Sequence, residues 1–198
     1  DVENAIAQKE KITNSEEKNI PQVQAIRSAV AAAMSKSNRE IPHYYLEKRI
    51  DMTKALAWLG ETNHKLPIQK RLLPAALLIK SVAQSLVDFP NLNASWDNDL
   101  QLKKEINIGF VVSLRGGGII IPTIHNANLK NTSEIMEALN DIIPRARAMK
   151  LRSSDLSDST ITITSLGEGG ADVVFGVIYP PQVAIIGFGA MRQNAVPG

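Results

Sequence analysis

Thr160, Thr162 and Thr164 alternate with Ile161 and Ile163, and the run breaks into Ser165-Leu166-Gly167-Glu168-Gly169-Gly170. A hydroxyl held at the end of a strand, against a glycine break, can serve as a catalytic donor. It can equally satisfy a neighbouring backbone carbonyl, and that ordinary use is the default for Thr164 and Ser165. Proton transfer would need a partner, and the chain has three histidines, His43, His64 and His125. They lie far apart, and none has the HExxH spacing of a helix-borne zinc site. His43, between Pro42 and two tyrosines, reads as structural, and His64, beside Lys65, as solvated. His125 follows a strand and could reach a ligand, with no carboxylate close in sequence to orient it. There is no cysteine, which removes disulfides, thiolate zinc and a cysteine nucleophile together.

Lys36, Arg39, Lys48 and Arg49 cluster early in the chain. A solvated face accounts for them; a phosphate site, held by charge-assisted hydrogen bonds, is the sharper reading. Arg145, Arg147 and Lys150 close a helix, where they complement its dipole. The net charge of +2 does not call for a polyanion such as nucleic acid. Gly116-Gly117-Gly118 lacks the GxxxxGK[ST] or GxGxxG context and reads as a tight turn between strands.

These residues must be positioned by elements that the periodicity sketches. Residues 1–20 are polar and mixed in charge and read as a linker or arm; residues 21–198 read as one domain. Pro21 opens a helix carrying Val23, Ile26, Val30 and Met34, ending before Pro42. His43–Ile50 reads as a strand. Asp51 or Thr53 can cap a second helix over Lys54–Asn63, and Leu72–Val87 is a third, with Pro74 in its first turn. A turn-rich stretch leads to one long strand over Ile106–Leu114, then a second over Ile119–Ile124 that contains Pro122. A helix starts at Thr132 or Ser133, and Pro144 should kink or divide it. Strands follow at Thr160–Thr164, Val173–Ile178 and Val183–Phe188. Without a regular βαβ rhythm, this is a mixed α+β sandwich rather than a doubly wound sheet. No apolar run approaches 18 residues, so no membrane span is expected.

Seven segments, in order, resemble the catalytic domain of the dihydrolipoamide acyltransferase component of 2-oxo acid dehydrogenase complexes. They are IPHYYL (41–46), FPNLNASWD (89–97), INIGFVV (106–112), GGIIIPTIHNAN (117–128), ARAMKL (146–151), TITSLGEGG (162–170) and PPQVAIIGFGA (180–190). The resemblance implies a chloramphenicol-acetyltransferase-like fold, a mixed sheet with helices on one face. It implies homotrimers joined into a cubic or dodecahedral core, with the active site in a channel between subunits. Coenzyme A enters that channel from one end as a substrate, and a dihydrolipoyl group, carried on a separate lipoyl domain, from the other. The partner enzymes of the dehydrogenase complex are implied too.

The resemblance assigns the oxyanion donor to Thr164, coenzyme A contacts to Lys36 and Ser37, and channel lining to Pro122 and His125. Ile121 stands where the family usually has Thr, and His125 where it usually has Arg; either change could alter the channel or its acyl preference. The family's catalytic histidine lies in an HRxxDG-like motif downstream of PPQVAIIGFGA, and the chain stops at Gly198 without it. The expectation is an acyltransferase domain cut before that motif and inactive by itself. Lacking the strand and terminal helix beyond it, the domain would show an open sheet edge and apolar surface. A catalytically silent core or binding subunit of the same fold is the alternative; a transferase acting on a hydroxyl acceptor is a third. A cytoplasmic bacterial protein, or a mitochondrial one already stripped of its presequence, fits equally.

Overall fold

The computed structural model describes residues 24–114, 117–165 and 170–193, so the expected arm lies outside the described residues. Four α-helices are described: α1 over residues 24–40, α2 (Thr53–Lys65), α3 (Pro74–Asp88) and α4 (Thr132–Arg147). The strands are β1 (Ala94–Asp97), β2 (Asp99–Leu102), β3 (Ile108–Phe110), β4 (Val112–Ser113), β5 (Ile119–Ile120), β6 (Thr123–Ile124), β7 (Ile161–Ser165) and β8 (Ile185–Phe188).

The helices begin and end for local reasons. Pro74 sits in the first turn of α3, where no N–H is needed. Asn131 caps α4 through a capping box with Glu134: each side chain takes the other's backbone N–H, at 2.9 and 2.7 Å. Asp51 Oδ1 accepts the Thr53 N–H at 2.9 Å at the head of α2. Pro144 does not divide α4, which runs on to Arg147. The carbonyl deprived of its donor belongs to Asn140, which is exposed, so water can take it.

The main sheet has the order β6-β3-β7-β8. β3 and β6 are antiparallel, while β3–β7 and β7–β8 are parallel, so the sheet is mixed. Each predicted long strand of the middle region is two short ones. Ile106–Leu114 divides at Val111, and Ile119–Ile124 divides at Pro122, which can donate nothing to a ladder. The second piece of the one and the first piece of the other form their own hairpin, β4 with β5, closed by Gly117 and Gly118 at φ of 82° and 91°. That backbone suits glycine, as the tight-turn reading requires. The stretch 94–102, which reads as turns, makes a further hairpin with Asn98 at its tip, φ 56°. Periodicity over four residues a side is too short to show it.

Two expected strands are not strands. Residues 43–50 and 173–178 make no ladder among the described residues. A strand needs a partner for its backbone groups, and Tyr44, Leu46 and Ile50 instead face solvent. The two segments hold each other through side chains. The Ile178 N–H donates to His43 Nε2 at 3.0 Å, and Tyr45 meets Phe175 edge to face at 5.2 Å.

Alternation along β7 divides the sheet into two faces. Ile108, Ile161 and Ile163 point to one face and pack under α3 and α4, against Ile79, Leu86, Ile135 and Leu139, all buried. Truncating one of these isoleucines to Ala would cost about 2–5 kcal/mol. The threonines of β7 take the other face. There, register sets Thr123 and Thr162 on either side of Gly109. A Cβ on Gly109 would meet Ile121 Cγ2 at 2.9 Å and Ser159 Cβ at 3.2 Å, so the missing side chain is what lets both in. No described helix is long and apolar enough to cross a membrane.

Candidate active site

Three threonines share one face of β7 and its approach, and their hydroxyls have different fates. Thr160 Oγ1 donates to Asn93 Oδ1 at 2.5 Å, with the Asn107 carbonyl a more distant acceptor at 3.1 Å. The same oxygen accepts the Asn107 N–H at 3.1 Å. Thr162 Oγ1 donates to Gln182 Oε1 at 2.7 Å. Thr164 lies at the half-buried end of the strand, and its hydroxyl has no hydrogen-bond partner among the described residues. Of the row, it is the hydroxyl left available to a ligand. The ordinary use expected from sequence, donation to a neighbouring carbonyl, is not made.

Gly187 is the partner of Thr164 across the parallel pair. A Cβ there would meet the Val174 carbonyl oxygen at 2.6 Å, because residues 171–178 pass back over β8. Leu166–Gly169, the break that follows, lie outside the described residues.

The amides that consume the first two hydroxyls escaped sequence reasoning. Asn93, Asn107 and Gln182 are all buried. Asn93 Nδ2 donates to the carbonyls of Lys103 and Glu105 at 2.9 and 3.0 Å. Asn107 Nδ2 donates to the Asp158 carbonyl at 3.0 Å, and its Oδ1 accepts the Asn126 N–H at 2.9 Å. The available signal was a lone amide inside an apolar run, LNAS, EINIGF and PPQVAII, since a buried amide survives only when its groups are paired.

His125 does not join Thr164. It lines a cavity of about 690 Å³ at the start of β7, with Lys103, Glu105, Asp158, Tyr179 and Gln182. Thr160 lines the same cavity, and Thr164 is four residues further, about 13 Å at the rise of a strand. His125 Nε2 lies 3.0 Å from the Ser154 carbonyl. A carbonyl only accepts, so Nε2 carries a proton. The orienting group missing from the local sequence is therefore a backbone oxygen 29 residues away.

His43 has both nitrogens engaged: Nε2 takes the Ile178 N–H and Nδ1 donates to the Ile41 carbonyl at 2.9 Å. It is structural, as the sequence suggests. His64 lies exposed in the last turn of α2 rather than in a loop. None of the three is placed to take a proton beside Thr164.

Pro122 is fully buried between β5 and β6. Lys36 is exposed on α1 and pairs with Glu40 at 3.8 Å. Ser37 beside it is fully buried, its hydroxyl unpartnered in the described structure. No hydrogen bond or ion pair among the described residues links Lys36 or Ser37 to β7. Among those residues, no group of three His, Asp or Glu side chains could hold a metal ion.

The family model for the 2-oxoacid dehydrogenases acyltransferase catalytic domain matches residues 14–197. The dihydrolipoyllysine-residue acetyltransferase component of the pyruvate dehydrogenase complex of Mycoplasma genitalium is 32% identical over 180 residues, which are 88% of this chain and 46% of that protein. The chain spans under half the length of the curated relatives it matches. A probable dihydrolipoamide acetyltransferase from Listeria monocytogenes superposes with a TM-score of 0.82 at 30% identity, over 87% of this chain and 74% of that one. The dihydrolipoamide acetyltransferase of Azotobacter vinelandii, studied for the role of a serine, a histidine and an asparagine in its catalytic mechanism, gives 0.80 at 25% identity, over 87% and 72%. The α+β architecture with helices on one face of a mixed sheet is the chloramphenicol-acetyltransferase-like fold of these catalytic cores.

Proposed function

The chain belongs to the 2-oxoacid dehydrogenases acyltransferase (catalytic domain) family, and on that premise we propose that it moves an acyl group between a dihydrolipoyl thiol and coenzyme A. The observation that carries this reading is the free hydroxyl of Thr164 at the end of a row whose other hydroxyls are consumed.

In the step we assign, a thiolate attacks the carbonyl carbon of an acyl thioester. A new carbon–sulfur bond forms, and the carbonyl electron pair moves to oxygen. The Thr164 hydroxyl donates to that oxyanion. Collapse restores the carbonyl and expels the other sulfur as a thiolate, so the acyl group is exchanged and nothing is oxidised. The attacking thiol must first lose its proton. No described histidine stands beside Thr164, so the reading takes the accepting group from beyond the described residues. Lys36, exposed on α1, would exchange Glu40 for a phosphate of coenzyme A at little cost, since a surface ion pair is worth about 0–1 kcal/mol. Homotrimers in a larger multienzyme core, served by separate lipoyl domains and partner dehydrogenases, are the setting we infer from the relatives.

The test is acyl transfer by the full-length protein from a short acyl-coenzyme A to dihydrolipoamide. Thr164→Val should lower kcat by about 10²–10³, the usual loss of one oxyanion donor, and Thr164→Ser should keep most of the rate. A wild-type protein that assembles and turns over no thioester would favour the silent core instead.

A further inference from the structure

We propose that Gln182 is a positioning residue for Thr164 and acts through Thr162. The inference rests on the reading of Thr164 as the oxyanion donor and names what holds it.

Gln182 is 4% exposed and spends its whole side chain on the approach to β7. Oε1 accepts from Thr162 at 2.7 Å, and Nε2 donates to the Ser159 carbonyl and to Ser159 Oγ at 3.1 and 3.0 Å. Its backbone is held as well. The N–H donates to the Tyr179 carbonyl at 2.9 Å, and the residue bridges to Ser95 of β1. Next to it, the Pro181 carbonyl accepts the Trp96 N–H at 2.8 Å. Three residues on, the chain enters β8, whose register pairs Thr162 with Ile185 and Thr164 with Gly187. One amide thus ties the start of β7, the body of β7 and the entry to β8.

Thr162 is 1% exposed and two residues before Thr164 on the same face. Its fixed hydroxyl sets the strand's rotation just before the free one. A donor displaced by 1 Å can cost about 10² in rate, so a small relaxation here reaches the chemistry. Ser159 completes the device. It is admitted by the space over Gly109, and its oxygen accepts from Gln182 Nε2.

The experiment uses the full-length assembled protein and the short acyl-coenzyme A thioester it turns over fastest, with dihydrolipoamide as acceptor. Thr162→Val and Gln182→Met should each lower kcat about tenfold with both KM values within about twofold, and Thr162→Ser should restore the rate. In a Thr164→Val background the same changes should lower kcat no further. Should Gln182→Met fail to assemble, Ser159→Ala, which removes one of the two acceptors of Gln182 Nε2, should give a smaller loss in the same direction. Wild-type kcat in Thr162→Val, or a loss that adds in full to that of Thr164→Val, overturns the proposal. If Thr164→Val itself keeps the wild-type rate, the donor reading falls separately. Methyl relaxation of the Thr164 γ2 group then decides: greater mobility in Thr162→Val upholds the positioning role, and unchanged mobility overturns it.

Discussion

The Thr160 hydroxyl donates to Asn93 Oδ1 at 2.5 Å, across 67 positions of sequence. This bond and the two that Asn93 Nδ2 gives to the 103 and 105 carbonyls fasten the β1–β2 hairpin to the start of β7. Asn93 is 1% exposed, so water cannot replace what a shorter side chain would drop. Asn93→Ala should therefore destabilise the fold by about 1–3 kcal/mol, the range for a buried hydrogen-bonding group left unpaired. Urea unfolding with an unchanged m-value would read the loss; a midpoint equal to wild type would refute it.

Arg145 near the end of α4 grips two carboxylates. Its Nη1 reaches Asp155, while Nε and Nη2 take Asp141, with the shortest of those bonds 2.6 Å. Asp155 also accepts the Arg152 N–H at 2.7 Å. The guanidinium's hydrogen bond, first, and then that backbone bond hold the Asp155 carboxyl below its ordinary value, against the opposing effect of burial. A depressed carboxylate contributes stability above its unfolded value, near 3.9, and loses it as pH falls through the folded value. Asp155→Asn should accordingly be less stable than wild type at pH 7, with the gap closing as the pH drops below about 4. Urea titrations from pH 7 to pH 3 test this, and a gap independent of pH would count against the ion pair as its source.

Two glycines should respond oppositely to alanine. At Gly187 the new methyl would meet the Val174 carbonyl oxygen at 2.6 Å, a backbone atom that cannot swing away. Gly187→Ala should lose about 1–3 kcal/mol, as overpacking does, and its partner Thr164 makes activity a second readout. Gly60 lies exposed inside α2 with nothing within 4 Å of a Cβ. Gly60→Ala should gain about 0.5–1 kcal/mol from the helix preference alone. Thermal unfolding midpoints should move down for the first and up for the second; the same sign for both would contradict this.

The two fixed histidines should carry their protons on opposite nitrogens. His43 accepts from a backbone N–H at Nε2, so its proton sits on Nδ1; His125 faces a carbonyl with Nε2, so its proton sits there. Ring nitrogen shifts measured at neutral pH should report the Nδ1–H form for His43 and the Nε2–H form for His125. The reverse pairing would mean that one of the two contacts is not made in solution.

Local pattern alone decided the helices. Their spacing of apolar residues, Pro74 at an entrance and the Thr132 start all act within a turn or two, and α3 and α4 lie where the periodicity places them. The alternation at 160–164 likewise determined β7 and, with it, which side chains share a face. The ordered motifs made the family legible, because they sample the whole chain and not one contact. What the tertiary structure decided was pairing. Residues 43–50 and 173–178 have the composition of strands but find no ladder among the described residues, since a strand exists only with a neighbour. The site followed the same rule. Thr160, Thr162 and Thr164 look equivalent as letters, and only Asn93 and Gln182, folded against them from 67 and 20 positions away, consume two hydroxyls and leave the third. Hydrogen bonds reach about 3 Å, so which residues arrive within that distance is a property of the packed chain.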